Sequence, residues 1–166
     1  MSKKYIIFAG CNGVGKSTLF QTCTCLHELP RVNMDEIVKS FGSWKNNANV
    51  ISAGKKAVRL VNHYLDSGIS FTQETTLCGH SIISNIEKAY ALGYEIIIYF
   101  VFVESADIAI KRIHERVKNG GHGINDADVI RRFKESKNNL KKISKYCTEV
   151  QLFNNTEKMV WVKALK

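Results

Sequence analysis

The chain has 166 residues, of which 45% are hydrophobic and 23% charged, and its formal net charge is +9. This length suits one compact domain, and the composition excludes a disordered or fibrous chain. The longest apolar run, residues 96–103, is far shorter than a membrane span, and the N-terminal residues lack the apolar stretch of a signal peptide. Five cysteines without framework spacing argue against a secreted disulfide scaffold. We therefore expect a soluble, cytoplasmic protein without membrane association.

Strands and helices alternate along the predicted chain. Short apolar runs rich in β-branched residues predict strands at 5–9, 31–35, 69–73, 94–103 and 149–153. Helices are predicted between them, at 16–26, 48–65, 81–92, 106–117 and 126–146. This alternation predicts an α/β fold, a three-layer α/β/α arrangement around a five-stranded parallel sheet. We expect residues 1–166 to form a single domain with a lid region around 112–132.

A phosphate-binding motif lies at the first junction between strand and helix. It reads Gly10-Cys-Asn-Gly-Val-Gly-Lys-Ser-Thr18 and matches G-x-x-x-x-G-K-[ST], the P-loop or Walker A pattern. Glycines let backbone N–H groups turn toward phosphate oxygens, and the helix N-terminus adds its positive dipole end. Lys16 would reach the β- and γ-phosphates of ATP, and Ser17 would ligate Mg²⁺. The residues predicted to bind the nucleotide are Gly10, Asn12, Gly13, Val14, Gly15, Lys16, Ser17 and Thr18.

Three absences from the sequence narrow the class of P-loop protein. There is no N-K-x-D motif, which would read guanine, and no apolar strand ending in Asp-Glu, which would make a strong Walker B site of a motor ATPase. The chain is also too short for a helicase-type module. The class that remains is the nucleoside-kinase-like P-loop proteins. Such a kinase needs a base that takes a proton from the acceptor, a pocket that binds the acceptor, and mobile cations that cover the transferring phosphoryl group.

Polar side chains at the ends of the second and third predicted strands supply the acceptor side. Asp35 would lie at the carboxyl edge of the sheet, where its carboxylate could accept the proton of the acceptor hydroxyl. Glu74, Thr75 and Thr76 follow the third strand at the same edge and suit a polyhydroxylated substrate or a metal-bound water. The alternatives are structural: Asp35 as a helix N-cap, and Glu74 to Thr76 as turn residues.

Positive charge is concentrated between residues 111 and 145, which hold eleven Lys/Arg against four acids. Arg112 and Arg116 are four apart and share one predicted helix face, and Arg132 follows a glycine-rich segment at 120–123. Guanidinium groups suit the dispersed charge of a transferring phosphoryl group, so these three arginines are predicted to be catalytic. The alternative is that they are ordinary surface arginines, and for the outlying lysines we favour a solvated face.

Taken together, these motifs resemble the zeta-toxin-like kinases, in their short single-domain branch. The matching segments are Gly10 to Leu19, Asn33-Met-Asp35, Glu74-Thr-Thr-Leu-Cys-Gly79, Arg112 to His122, Arg131 to Leu140 and Phe153-Asn-Asn-Thr156. Departures are Gly123-Ile124-Asn125, where this branch usually has a proline turn, and Asn154-Asn155-Thr156, where it has Asp-Asn-Ser.

The resemblance implies transfer of phosphate from ATP, with Mg²⁺, to the sugar of UDP-N-acetylglucosamine or a similar sugar nucleotide. It implies that Asp35 is the base, that Glu74 and Thr75 bind the substrate, and that Lys16 and the arginines clamp the phosphates. An antitoxin-like protein partner is also implied as a candidate.

Two other functions stay open on the sequence. The +9 charge is compatible with a polynucleotide 5′-kinase, although the basic segment has little aromatic interleaving, so nucleic acid is the less favoured partner. A nucleotide-binding regulatory module without transfer activity is the third reading.

Overall fold

A computed structural model describes residues 2–165 and has a six-stranded sheet with helices on both faces. The strands are β1 (Lys4–Ala9), β2 (Arg31–Asn33), β3 (Phe71–Thr75), β4 (Glu95–Phe102), β5 (Glu149–Asn154) and β6 (Val160–Ala164). The α-helices are α1 (Lys16–Thr22), α2 (Met34–Phe41), α3 (Asn47–Asp66), α4 (His80–Ala91), α5 (Ala106–Lys118) and α6 (Asp126–Ile143). Short 3-10 turns follow α1 and α6, at Thr24–Leu26 and Ser144–Tyr146.

The strand order β2-β3-β1-β4-β5-β6 places β1 inside the sheet. Strands β1 to β5 are parallel, and β6 adds to β5 in the antiparallel direction. After β1 the chain builds two strands on one side and then moves to the other side, so β1 stands at the topological switch point where open α/β sheets bind ligands. The predicted α/β fold with five parallel strands is confirmed, but the sheet has a sixth, antiparallel strand, β6, that the sequence did not predict.

Alternation along β1 divides the core into two layers. Tyr5 and Ile7 pack with α2, α3, α4 and the end of α6, whereas Ile6 and Phe8 pack with α1, α5 and the start of α6. All four side chains are at most 2% exposed. A strand buried on both faces explains why its sequence reads as a continuous apolar run.

Two element boundaries differ from the sequence prediction in ways that affect the site. The predicted strand 31–35 ends at Asn33, because the Asn33 side chain accepts hydrogen bonds from the backbone N–H groups of Asp35 and Glu36 and starts α2. Asp35 therefore lies in the first turn of a helix that the sequence did not predict. The third strand is displaced toward the C-terminus, so that Glu74 and Thr75 are its last two residues.

Among residues 2–165, no helix is both long enough and apolar enough to cross a membrane.

Candidate functional site

One cavity of about 1330 Å³ opens at the carboxyl edge of the parallel strands. The ends of β1, β2 and β3 meet there because they are aligned side by side, with Ala9 level with Thr75 and Asn33 level with Glu74. The predicted site residues on its wall are Asn12, Gly13, Gly15, Lys16, Ser17, Thr18, Asp35, Glu74, Thr75, Thr76, Arg112, Arg116 and Arg132. Gly10 and Val14, also predicted, lie outside this wall.

The loop glycines are required by close backbone packing. Gly10 has φ 139°, and a Cβ built there would lie 2.1 Å from the carbonyl oxygen of Val101. Gly13 has φ 78°, and its Cβ would lie 2.6 Å from the carbonyl oxygen of Ala109. No side chain fits at such separations, so β4 and α5 fix the path of the loop. Val14 contributes a buried side chain to the core instead of a wall to the cavity.

Lys16 begins α1 and is only 8% exposed. Its Nζ donates a hydrogen bond to the carbonyl oxygen of Cys11, 2.9 Å away. Burial lowers the pKa of Lys16, while the charge of Glu74 opposes that change. A bound anion would raise the pKa of Lys16 again and stabilise its charged ammonium group, because a nearby opposite charge favours the protonated form of a lysine.

The hydroxyl of Ser17 donates to the carboxylate of Glu74, at 2.9 Å to Oε1 and 3.1 Å to Oε2. Ser17 comes from the start of α1 and Glu74 from the end of β3, so two neighbouring strands bring these oxygens together. Hydroxyl and carboxylate oxygens are ligands that Mg²⁺ prefers, directly or through water. These two residues therefore fit a magnesium site beside the P-loop.

Arg31 and Asn33 hold Glu74 in place, and sequence reasoning missed both roles. Arg31 Nη2 donates to Glu74 Oε2 at 2.8 Å, and Asn33 Nδ2 donates to the same oxygen at 2.9 Å. The other guanidinium nitrogen of Arg31, Nη1, donates to Glu36 at 2.5 Å, and the group lies 3.7 Å from the ring centroid of Phe20. The only available signal was the position of Arg31 at the start of β2, one strand away from Glu74.

The carboxylate of Asp35 is exposed and makes no hydrogen bond or ion pair within residues 2–165. Its backbone N–H is bonded to Asn33, 2.8 Å away, so the alternative reading of Asp35 as the N-cap is wrong and Asn33 has that role. Asp35 lines the main cavity together with Lys16. An unpaired carboxylate on this wall can accept a proton from a bound hydroxyl.

The three predicted arginines reach the cavity from α5 and α6, and each makes one hydrogen bond to an uncharged oxygen. Arg112 donates to the carbonyl oxygen of Thr156 at 2.9 Å, and Arg116 to that of His122 at 2.6 Å. Arg132 donates to Asn12 Oδ1 in the P-loop at 3.1 Å. Arg131 differs, since its guanidinium is already paired with Asp128 and Glu135. Among residues 2–165, no carboxylate forms an ion pair with Arg112, Arg116 or Arg132.

The loop at 119–125, between α5 and α6, approaches the loop at 42–46 through one aromatic pair. The rings of Trp44 and His122 are stacked, with centroids 4.0 Å apart and an interplanar angle of 15°. A second cavity of about 330 Å³ lies beside this pair, and its wall includes Asp35 and Arg116. Burial lowers the pKa of His122; Arg116 lowers it further, and Asp35 opposes both. Sequence reasoning missed Trp44 because nothing in its local pattern marks a contact with residues so far along the chain.

The turn after β3 is tied to α6. Leu77 has φ 60°, unusual for a branched side chain, and its N–H donates to Thr75 Oγ1 at 3.0 Å. Asn139 Nδ2 donates to the Leu77 carbonyl at 2.9 Å, and Gly79 N–H donates to Glu135 at 2.8 Å. Thr75 and Thr76 thus stand on a fixed turn, facing the same cavity as Asp35.

Comparison with known proteins identifies the family. The zeta toxin family model matches residues 1–165. The chain belongs to the zeta toxin family. A relative from Haemophilus influenzae, described as an uncharacterized protein, is 31% identical over 131 residues, covering 79% of this chain and 92% of its own length.

Solved structures of low sequence identity share the fold. One is the PezAT chromosomal toxin–antitoxin system of Streptococcus pneumoniae, with TM-score 0.67 and 14% identity over 98% of this chain and 72% of that chain. Another is the AvrRxo1-ORF1:-ORF2 complex with ATP, with TM-score 0.72 and 14% identity over 99% of this chain and 58% of that chain. Membership of the zeta toxin family supports a P-loop phosphotransferase, and these structures agree with it in fold.

Proposed function

We propose that this chain transfers the γ-phosphoryl group of ATP, with Mg²⁺, to a hydroxyl of a small soluble acceptor. The acceptor we propose is UDP-N-acetylglucosamine or a similar sugar nucleotide. The single observation that carries the proposal is the unpaired carboxylate of Asp35, on the wall of the same cavity as Lys16 and Ser17 of the P-loop.

The donor side of the proposal rests on the P-loop and the arginines. Lys16 and the helix N-terminus behind it suit the β- and γ-phosphates. Arg112, Arg116 and Arg132 line the cavity, and none has a carboxylate partner in the described part of the chain. Cations placed where charge develops stabilise a phosphoryl transition state. The structure of the AvrRxo1 complex with ATP supports ATP as the nucleotide.

Ser17 and Glu74 are the residues that would hold Mg²⁺, with the Ser17 hydroxyl and the Glu74 carboxylate as the oxygens beside it. When bound, the ion would neutralise charge on the phosphates. Arg31 and Asn33 keep the Glu74 carboxylate directed at Ser17, which fixes the donor oxygens before a ligand arrives.

The cavity is large enough for an acceptor beside the nucleotide, and its walls offer both apolar and polar side chains. A cavity of about 1330 Å³ exceeds the roughly 300–1,000 Å³ of a typical single-ligand pocket, so donor and acceptor can bind together. One wall is the apolar face of α3, formed by Val50, Gly54, Ala57, Val58 and Val61, and it suits the flat face of a base or sugar. Hydroxyls and amides of Thr75, Thr76, Ser81 and Asn85 suit the oxygens of a sugar.

The proposed reaction is an in-line displacement at phosphorus. The acceptor hydroxyl oxygen attacks the γ-phosphorus, a new P–O bond forms, and the bond to the β-phosphate oxygen breaks to release ADP. Asp35 accepts the hydroxyl proton and passes it to solvent. Lys16 and the arginines stabilise the charge on the transferring group. The 119–125 loop is proposed as the lid that excludes water, with the Trp44–His122 stack as its contact with the acceptor side.

Phosphorus NMR on wild-type protein with ATP, Mg²⁺ and each candidate acceptor tests the proposal. We expect a new phosphate-ester signal that grows only with a sugar nucleotide and that is absent with Lys16→Met. An ester formed only on a 5′-hydroxyl oligonucleotide would favour the polynucleotide kinase instead. ATP binding without any ester across sugars, nucleotides and oligonucleotides would favour a regulatory module and overturn the transfer reaction.

An antitoxin-like protein partner is a secondary part of the proposal. Its support is that the names of the PezAT and AvrRxo1 structures describe a toxin–antitoxin system and a two-protein complex.

A further inference from the structure

The turn between β5 and β6 lies against the P-loop, although no residue of this turn belongs to the predicted site. Asn155 Nδ2 donates a hydrogen bond to the carbonyl oxygen of Val14 at 2.8 Å. A Cβ built on Gly15 would lie 2.4 Å from the same nitrogen and 3.5 Å from Met159 Cε. A side chain at position 15 would therefore displace the Asn155 amide, and φ 100° at this position also favours glycine.

Asn155 is itself held by the surrounding backbone. Its N–H donates to the Phe102 carbonyl, at the end of β4, at 2.8 Å. Asn154 Oδ1 accepts hydrogen bonds from the N–H and hydroxyl of Thr156, at 2.9 and 2.6 Å, and Glu104 N–H donates to that hydroxyl at 3.1 Å. Asparagine at 154 thus supplies the acceptor oxygen that an aspartate would supply, so this departure from the family pattern preserves the turn.

Arg112 connects the same turn to the cavity. Its guanidinium donates to the Thr156 carbonyl, so one rigid turn contacts both the P-loop and a cation on the cavity wall. The turn exists because β6 brings the chain back along β5, and β6 is the strand that the sequence did not predict.

The orientation of one peptide unit follows from the bond of Asn155 to Val14. In a planar trans peptide the carbonyl of residue 14 and the N–H of residue 15 point in opposite directions. Holding the Val14 carbonyl toward Asn155 therefore directs the Gly15 N–H away from Asn155. Gly15 has φ 100°, and a glycine offers little steric resistance to rotation of the adjoining peptide. Without Asn155, this peptide could rotate and present a carbonyl oxygen where a phosphate needs a donor.

We propose that Asn155 is a positioning residue that fixes the Val14–Gly15 peptide so that the Gly15 N–H donates to a phosphate of the bound nucleotide. The phosphate part of this inference rests on the proposed function. Asn155 acts through the loop backbone, and its amide nitrogen is already engaged by the Val14 carbonyl.

Two substitutions separate this role from packing. Asn155→Ala removes the bond, and Asn155→Asp keeps the shape but places a carboxylate oxygen against the Val14 carbonyl oxygen. Asn138→Ala, on the exposed side of α6, is the matched control for an asparagine substitution.

The first measurement is ¹⁵N relaxation dispersion of the Gly15 amide in nucleotide-free protein, which detects microsecond-to-millisecond exchange. We expect a flat profile for wild type and Asn138→Ala, and exchange in both Asn155 variants. The second measurement is the ATP dissociation constant by calorimetry. We expect it to rise about tenfold in the variants, comparable with the loss of one good hydrogen bond, with the acceptor KM unchanged.

Flat dispersion profiles together with wild-type ATP affinity in both Asn155 variants would overturn the inference. A parallel loss of ATP affinity, acceptor affinity and melting temperature would also overturn it, because it would indicate a general structural role. Exchange at Gly15 in the variants supports the positioning of the loop even if wild-type protein fails to bind ATP, a result that would overturn the proposed function alone.

Discussion

The proposed donor half of the cavity comes from one continuous segment, the loop at 10–18, whereas the proposed acceptor half is formed by side chains that meet from separate elements. In this loop, Gly10 and Gly13 pack against the backbone oxygens of Val101 and Ala109, which fixes the path of the main chain. In the acceptor half, Asp35, Trp44 and His122 come from α2 and two loops. A phosphate site can therefore be encoded in nine consecutive residues, but an acceptor site depends on the whole fold.

The largest effect should come from adding a side chain where the P-loop backbone packs against β4. Gly10→Ala places a methyl 2.1 Å from the Val101 carbonyl at φ 139°, so we expect a loss of about 3 kcal/mol or more in the free energy of unfolding, with loss of ATP binding. Gly93→Ala is the control, because φ is 75° there but a Cβ would meet no atom within 4 Å outside the adjoining residues. It should cost only about 1 kcal/mol. Urea unfolding measures the free energy of unfolding of both variants. An equal loss in the two would show that β4 does not fix the loop.

A smaller effect, on the rate of phosphoryl transfer, should follow from removing the ion pair that holds Glu74. Arg31→Ala leaves a carboxylate that is 12% exposed without its cation, and we expect transfer to slow by about 10–100-fold, as for other residues that orient metal ligands. Arg131→Ala is the control: it removes two ion pairs of an arginine that is 57% exposed, and its transfer rate should stay near that of wild type. The rate of phosphoryl transfer is measured for both variants as a function of Mg²⁺ concentration. A normal Mg²⁺ dependence in Arg31→Ala would contradict the role assigned to Arg31.

Acceptor binding alone should respond to Trp44. Trp44→Ala removes the ring that stacks on His122, and we expect the acceptor KM to rise about tenfold, equivalent to about 1.4 kcal/mol, while the ATP KM stays constant. Trp161→Ala, an exposed tryptophan on β6, is the control. Steady-state kinetics with each substrate varied in turn measure both constants. An equal rise in both KM values would show that the two halves are not separate.

The smallest effect should be a pH dependence of the same stack. Burial holds the pKa of His122 below its usual value of about 6.5, with Arg116 adding to the shift and Asp35 opposing it. The folded protein thus resists protonation of His122. The stack should be fully stable above about pH 6.5 and weaken as the pH falls through the lowered pKa.

Fluorescence of Trp44 in a Trp161→Phe background detects this change. The transition should occur below pH 6.5, the ordinary range of histidine, and should be absent when His122→Asn is added. A transition that persists without His122 would assign it to another group.

The elements most accurately predicted from sequence were those with local signals. The P-loop, the apolar run of β4 and the position of Glu74 at the sheet edge follow from residue type and spacing. Helix α2 was missed because its start depends on the Asn33 side chain, which also bonds Glu74 from a distant strand. Strand β6 was missed because its five residues are all exposed and follow a polar turn. Arg31, Trp44 and Asn155 were missed because each acts through a partner more than 40 residues away.

The most direct test of the account compares two carboxylates on the same cavity wall. Asp35 is unpaired, whereas Asp128 is bonded to Arg131 at 2.9 Å. Single-turnover phosphoryl transfer and ATP affinity should be measured for Asp35→Asn and Asp128→Asn. We predict that Asp35→Asn slows transfer by about 100-fold or more with unchanged ATP affinity, the loss expected for a general base, while Asp128→Asn stays near the wild-type rate. Transfer by Asp35→Asn within twofold of wild type would contradict the account.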